Sequence, residues 1–252
     1  MNIVIIGTGN TATVLGKKLK AAGHHILQVF GRDNFAASEL AYELETESTN
    51  YWNVVNPTAD MYLLAVSDVA VEEVFRELHL ADKLVVHTAA SVPLHALKGK
   101  SKHYGVLYPL QTLKKEVSKL PETPILIDAS DEKTLDLLQV LARSVSDRVF
   151  VAGDEKRLKM HLAAVMVNNF PNHLYALVEN YCVKEGLDFG MLLPLIRETA
   201  MRLETVSPAL TQTGPAVRND TPTISKHRGL LDAYPQLKKV YELFTESIVQ
   251  SR

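Results

Sequence analysis

The stretch Gly7-Thr8-Gly9-Asn10-Thr11-Ala12 carries residue types whose spacing can hold a pyrophosphate. In a G-x-G-x-x-A turn the first glycine allows a sharp exit from a strand, and the second keeps side-chain bulk away from the phosphates. The small residue at the end lets a following helix lie close to that strand. A helix beginning here adds unpaired N–H groups and the positive end of its dipole, so Thr8, Asn10 and Thr11 join Gly7 and Gly9 as candidate ligands of a dinucleotide. Some ~20 residues beyond the glycines, an acidic side chain would select the ribose hydroxyl of NAD. This chain has Gly31-Arg32-Asp33 there. With Gly31 in the acidic position nothing repels a 2′-phosphate, and Arg32 offers it a planar charged fork, which favours NADP. The alternative is a solvated Arg32, with Asp33 either binding ribose or capping a helix from Asn34.

Three further loops follow expected strand ends, where open α/β sheets receive ligands. Ala65-Val66-Ser67-Asp68 and His87-Thr88-Ala89-Ala90-Ser91 combine small residues with hydroxyls. Small side chains let a flat ring and its ribose approach the backbone, so Ala65, Val66, Ser67, His87, Thr88 and Ala89 are candidates for the nicotinamide side. Tyr108-Pro109-Leu110-Gln111-Thr112 offers Tyr108 and Gln111 as substrate ligands. Each loop also has a plain structural explanation: Ser67 and Asp68 can cap a helix, and Pro109 can end a strand.

Two polar clusters lie further on. An otherwise apolar helical pattern carries His161, Asn168, Asn169, Asn172 and His173 around Pro171. Asparagine is a mediocre helix former and proline breaks helices, so the cluster either repairs a kink or lines a polar site. His173, Asn169 and His161 are the candidate catalytic residues. The second cluster, Thr213-Gly214-Pro215-Ala216-Val217-Arg218-Asn219-Asp220, leads to Thr223 and His227. Asp220 or Thr221 can cap a helix here. Arg218 either binds a substrate carboxylate or pairs with Asp220, and Arg218 and His227 are candidate substrate ligands.

The elements that must position these residues alternate through the first half. Apolar runs at Asn2–Ile6 and Ile26–Phe30 flank a helical pattern at Thr13–Ala22 that Gly23 stops. Further strands are expected at Met61–Val66, Lys83–His87, His103–Tyr108, Pro124–Ile127 and Arg148–Val151, with helices at Asn34–Leu44, Val69–Glu77 and Glu132–Ser144. This alternation predicts a Rossmann-type, doubly wound, mostly parallel α/β sheet over residues 1–153. From 154 to 252 the strand signal stops. Helices near 155–183, 188–205, 220–231 and 235–250 form an all-helical domain, with the expected site in the cleft between the two.

Composition narrows the class. In 252 residues, 29 acidic side chains stand against 27 basic ones, which gives no reason to expect nucleic acid or an anionic membrane as partner. No run approaches the ~20 apolar residues of a membrane span. An N-terminus that is itself a core strand does not read as a cleaved signal. The one cysteine, Cys182, allows no intrachain disulfide or cysteine-based metal site and suits the cytoplasm.

Together these motifs resemble the Rossmann-like oxidoreductases that carry a C-terminal helical domain of unknown function. The resemblance spans essentially the whole chain and extends to pyrroline-5-carboxylate reductase and, more distantly, to 6-phosphogluconate and 3-hydroxyisobutyrate dehydrogenases. It implies NADP binding in the first domain, a small-molecule substrate, and a homodimer formed through the helical domain. One departure bears on mechanism. The hydroxyacid dehydrogenases carry a lysine, then an asparagine one turn on, in the first helix of the helical domain. Here Lys156 and Lys159 precede the apolar stretch, and Ala164 and Val165 stand one turn beyond His161. The acid/base is then His161 or His173, or the reaction is an imine reduction with the proton from solvent or a hydroxyl. The expected activity is hydride transfer to or from a C=N or C=O carbon of a small carboxylate-bearing metabolite. The alternative is a non-catalytic NADP-binding sensor on the same scaffold.

Overall fold

A computed structural model of the chain describes residues 1–78, 80, 82–99, 101–116 and 120–251. It divides into two compact units, Met1–Val165 and Met166–Arg252.

The first unit is built on strands β1 (Asn2–Ile6), β2 (His25–Phe30), β3 (Glu47–Thr49), β4 (Met61–Leu64), β5 (Leu84–His87), β6 (His103–Pro109), β7 (Ile125–Ala129) and β8 (Val149–Val151). They form one sheet in the order β3-β2-β1-β4-β5-β6-β7-β8. All neighbours pair in parallel except β6 and β7. The helices are α1 (Asn10–Ala21), α2 (Asn34–Leu44), α3 (Val71–Glu77), α4 (Glu132–Val145) and α5 (Asp154–Ala164). Strand periodicity explains the layers. Ile3 and Ile5 of β1 join one buried cluster with Leu15, Leu40 and Leu138, while Val4 and Ile6 join another with Val71 and Phe75. Successive side chains point to opposite faces, so a run apolar at every position demands cover on both sides.

The fold is the expected α/β class. Sequence reading missed β3, whose Glu-Ser-Thr has no apolar run because it is an edge strand three residues long. It also placed the whole of 155–183 in one helix. Instead α5 gives way to a wider, π-type turn at Val165–Asn169, and α6 (Phe170–Lys184) follows. Pro171 has no N–H to bond the carbonyl of Val167, and its ring crowds that carbonyl, so the turn opens. Helix α5 packs with the sheet unit, and that unit accordingly extends to Val165 rather than stopping near residue 153.

The second unit holds α6, α7 (Leu193–Arg202), α8 (Pro208–Thr211), α9 (Thr221–Leu230) and α10 (Pro235–Gln250). The expected helix 188–205 is shortened to α7 preceded by a single 3₁₀ turn at Phe189–Leu192. Asp188 caps that turn through the N–H of Gly190. No helix among the described residues is long and apolar enough to cross a membrane.

Candidate functional site

The carboxyl ends of β1, β2 and β4 enclose a cleft of about 290 Å³, lined by the Gly7–Gly9 turn, Gly31–Asp33 and Ala65–Ser67. Gly7 has φ +123°, a conformation that side chains avoid, and a Cβ there would lie 2.3 Å from the Ala65 carbonyl oxygen. Its N–H donates to Phe30 O at 2.8 Å, which ties the turn to β2. Gly9 precedes α1 with no side-chain cap, and a Cβ there would meet nothing within 4 Å. The open space beside the uncapped α1 N-terminus therefore fits a phosphate, as the spacing of the glycines implies.

The end of β2 is equally specific. A Cβ on Gly31 would lie 2.5 Å from Thr8 Cγ2 and 3.1 Å from Ala37 Cβ, so any side chain at this position, an acid included, would force its neighbours to shift. Asp33 is committed to capping α2, accepting from the N–H groups of Phe35 at 2.8 Å and Ala36 at 3.1 Å. Of the two roles considered for Asp33, the cap is the one observed. Arg32 is exposed beside the cleft and has no ion-pair partner among the described residues. Asn10 is half spent, since its Oδ1 accepts the Lys115 N–H at 3.2 Å.

Past β4 and β5 the structure revises several expectations. Neither Ser67 nor Asp68 makes a side-chain cap to the turn that leads into α3. Asp68 instead accepts the N–H and hydroxyl of Ser91. His87 is fully buried, accepting the Ala89 N–H at 3.2 Å through Nδ1 and leaving Nε2 without a partner among the described residues. Burial, helped by the charge of Arg157, lowers its pKa to about 4, so the ring is neutral and carries its proton on Nε2. Thr88 is also buried and donates to Leu64 O. Both side chains shape the loop from behind rather than line the cleft.

Tyr108 and Gln111 part ways. Gln111 is exposed, and its amide donates to Glu122 O at 2.9 Å. The Tyr108 phenol lies 2.9 Å from His161 Nδ1. Burial first, and the nearby Asp68 charge second, raise the phenol's pKa, so it stays protonated. Pro109 is the last residue of β6.

Sequence reading overlooked Arg157. Its neighbours face solvent, Lys159 pairing with Glu155, but Arg157 is fully buried. It donates from Nε to Ala90 O at 3.2 Å, and from Nη2 to Val92 O at 2.5 Å and Asp154 Oδ1 at 2.8 Å. The one available signal was its place three residues after Asp154, in the first turn of a helix where a basic side chain opposes the dipole.

The remaining candidates belong to the second unit. Asn169 and His173 are exposed, and Arg218 is exposed without an ion pair among the described residues. Asp220 caps α9 through the Thr223 N–H at 3.1 Å, and those bonds to Thr223 hold its carboxyl below the usual range. His227 Nδ1 is 2.9 Å from the Tyr241 hydroxyl, inside an apolar cavity of about 530 Å³ between α6, α9 and α10. Among the described residues no cluster of three or more His, Cys, Asp or Glu side chains is suited to a metal.

Sheet order, glycine turn and cleft define a dinucleotide-binding protein of Rossmann type. Residues 2–91 match the family model for NADP oxidoreductase, coenzyme F420-dependent, and residues 123–248 match the domain of unknown function DUF2520. The Bacteroides fragilis protein BF3122, assigned as an NADP oxidoreductase, is 39% identical over 99% of this chain and 98% of its own, with a TM-score of 0.91. This chain belongs to that family of NADP oxidoreductases with a DUF2520 domain. Two more distant structures share the fold. The pyrroline-5-carboxylate reductase of Streptococcus pyogenes is 16% identical over 99% and 98% of the chains, with a TM-score of 0.65. A reductive aminase of Aspergillus terreus, in complex with NADPH and ethyl-5-oxohexanoate, is 15% identical over 99% and 94%, with a TM-score of 0.72. No curated protein matches the chain significantly.

Proposed function

We propose that the protein is an NADPH-dependent reductase of a C=N or C=O bond in a small, carboxylate-bearing metabolite. The observation that carries the reading is the end of β2, where Gly31 is crowded by Thr8 and Ala37 and Arg32, with no ion-pair partner among the described residues, stands beside the cleft. In this reading Gly7, Thr8, Gly9, Asn10 and Thr11 hold the pyrophosphate, and Arg32 takes the 2′-phosphate. The backbone at Ala65–Ser67 and at Ala89 faces the nicotinamide side. Bound NADPH supplies the hydride; the chain's own residues bind, orient and move the proton.

We assign that proton to the Tyr108–His161 pair. The phenol is kept protonated by its surroundings, and the imidazole beside it can resupply what the phenol gives to a nitrogen or oxygen left basic by reduction. His161 has this partner, whereas His173 is exposed with none among the described residues, which favours His161 of the two. Within the second unit, Arg218 is the candidate for a substrate carboxylate, and Asn169 and His227 are that unit's further candidate contacts. The structure of neighbours that reduce pyrroline-5-carboxylate or aminate ketones supports a C=N or C=O substrate at the level of fold.

We infer that the second unit forms a homodimer. Among its described residues only Cys182, Ala216, Ile224 and Leu231 are buried, while Met166, Phe170, Met191, Leu195, Met201 and Leu210 are exposed. An apolar surface of this extent calls for a partner. The free Cys182 suits a reducing compartment such as the cytoplasm. Fluorescence titration with NADPH and NADH tests the cofactor reading: NADPH should bind preferentially, and Arg32→Ala should lose the preference. Binding of neither nucleotide would sink it. With NADPH fixed as reductant, a panel of imino and keto acids then tests the reaction.

A further inference from the structure

The loop between β5 and the turn at Leu94 is held at almost every residue by atoms from elsewhere in the same unit. Ala89 N–H goes to His87, and Ser91 N–H and hydroxyl go to Asp68. The carbonyls of Ala90 and Val92 are taken by Arg157, and Leu94 N–H donates to Asp154 Oδ1 at 2.9 Å, the same oxygen that Arg157 binds at 2.8 Å. A planar guanidinium is suited to this task, because its fixed fork sets two carbonyls and a carboxylate in one geometry. From Thr88 to Pro93 the loop has no helix or strand of its own, so apart from the packing of Ala89, Ala90 and Val92 its shape rests on these hydrogen bonds.

The arrangement is costly if it serves stability alone. Among the described residues, Arg157 is fully buried with one carboxylate partner, and its Nη1 has no hydrogen bond, just as His87 Nε2 has none. A buried charge with an unsatisfied donor is weak as a source of stability compared with apolar packing of the same volume. Its distinctive product is a rigid loop. Tyr108, Ala90 and Leu94 share one packed cluster, so the same latch also fixes the backbone beside the phenol.

We propose that Arg157 is a positioning residue for the nicotinamide half of the cofactor: reaching from α5, it holds the Thr88–Leu94 loop in the shape that receives the nicotinamide ring and its ribose. The inference rests on the reading of this loop as the nicotinamide side. Arg157 touches no ligand; it removes the ordering cost that a loose loop would add to binding. The adenosine end, built from Gly7, Gly9 and Arg32, does not depend on it.

The test compares NADPH with adenosine 2′,5′-bisphosphate, which has the adenosine end and no nicotinamide. Arg157→Met should weaken NADPH binding by about tenfold or more while leaving the bisphosphate within about twofold of wild type. Arg157→Lys keeps the charge without the fork and should recover only part of the loss. Equal weakening of both ligands, or loss of thermal stability with both affinities intact, would overturn the proposal. Should Arg157→Met fail to fold, Asp154→Asn carries the same readout, since it breaks the Leu94 hold and loosens the guanidinium. Wild-type protein that binds neither ligand would refute the cofactor reading itself, whereas binding of the bisphosphate with equal affinity to NADPH would refute only the nicotinamide assignment.

Discussion

Leu63 of β4 and Leu195 of α7 are the same side chain in opposite situations: one is fully buried, the other 64% exposed. The contrast holds across the two units. The sheet unit buries apolar residues on both faces of β1, β4 and β5, each worth about 1.5–3 kcal/mol. The helical unit spreads leucines, methionines and aromatics over its surface. Both meet the need to bury apolar surface, but a doubly covered sheet meets it within one chain. The helical unit buries few of its own apolar side chains, and the proposed homodimer would cover those it exposes.

Core truncation should give the largest separation. Leu63→Ala should cost about 2–5 kcal/mol in urea unfolding, since it opens a cavity in a fully packed layer. Leu195→Ala should change monomer stability by no more than about 0.5 kcal/mol. A large loss at Leu195 that does not vary with protein concentration would break the comparison.

Charge on the exposed helices sharpens it. Leu195→Glu with Met201→Glu should convert a dimer to a monomer in sedimentation while leaving NADPH binding in the sheet unit intact. A wild-type protein that is already monomeric at tens of micromolar would end the dimer proposal. Within the sheet unit, Gly7→Ala should cost about 1–3 kcal/mol and abolish nucleotide binding, because of its φ of +123° and the close Ala65 carbonyl. Its melting temperature and NADPH titration report the two effects separately.

A further test of the sheet unit is in pH. His87 has its pKa lowered by burial from 6.5 to about 4, so between those values the unfolded chain holds a proton that the folded one does not. The sheet unit should therefore lose stability as pH falls from about 6.5 to about 4, and His87→Asn should flatten that limb. Asp220 behaves differently. Its carboxyl lies below 3.8 because of its bonds to Thr223, so the capping contribution to α9 is present above that value and lost only as pH falls below it. The single tryptophan, Trp52, stacks on Phe30 in the sheet unit and gives that unit its own fluorescence signal. An unfolding midpoint by Trp52 that is flat from pH 7 to 4.5 would contradict the buried, neutral His87.

Much of the first unit was legible because short-range rules govern it. Strand alternation and the glycine spacing are local, and each needs only a few neighbouring residues to express itself, whereas the sequence left Asp33 open between ribose ligand and helix cap. β3 was not legible, since an edge strand of polar residues has no pattern of its own. The π-type turn was half legible: Pro171 announced a break, but not whether the helix would kink or widen. Arg157 was invisible among charged neighbours, because nothing in DEKRLK tells which cation turns inward.

By itself, the order of residues determined the α/β class, the glycine turn after β1 and the glycine in place of an acid at position 31. These follow from backbone sterics and periodicity, which act over a few residues. Only the tertiary structure decided that His87 and Thr88 face inward, that Tyr108 meets His161, and that Arg157 grips a loop 65 residues earlier at Val92. Those pairings depend on which strand ends lie side by side, and sheet order is a property of the whole unit rather than of any segment in it.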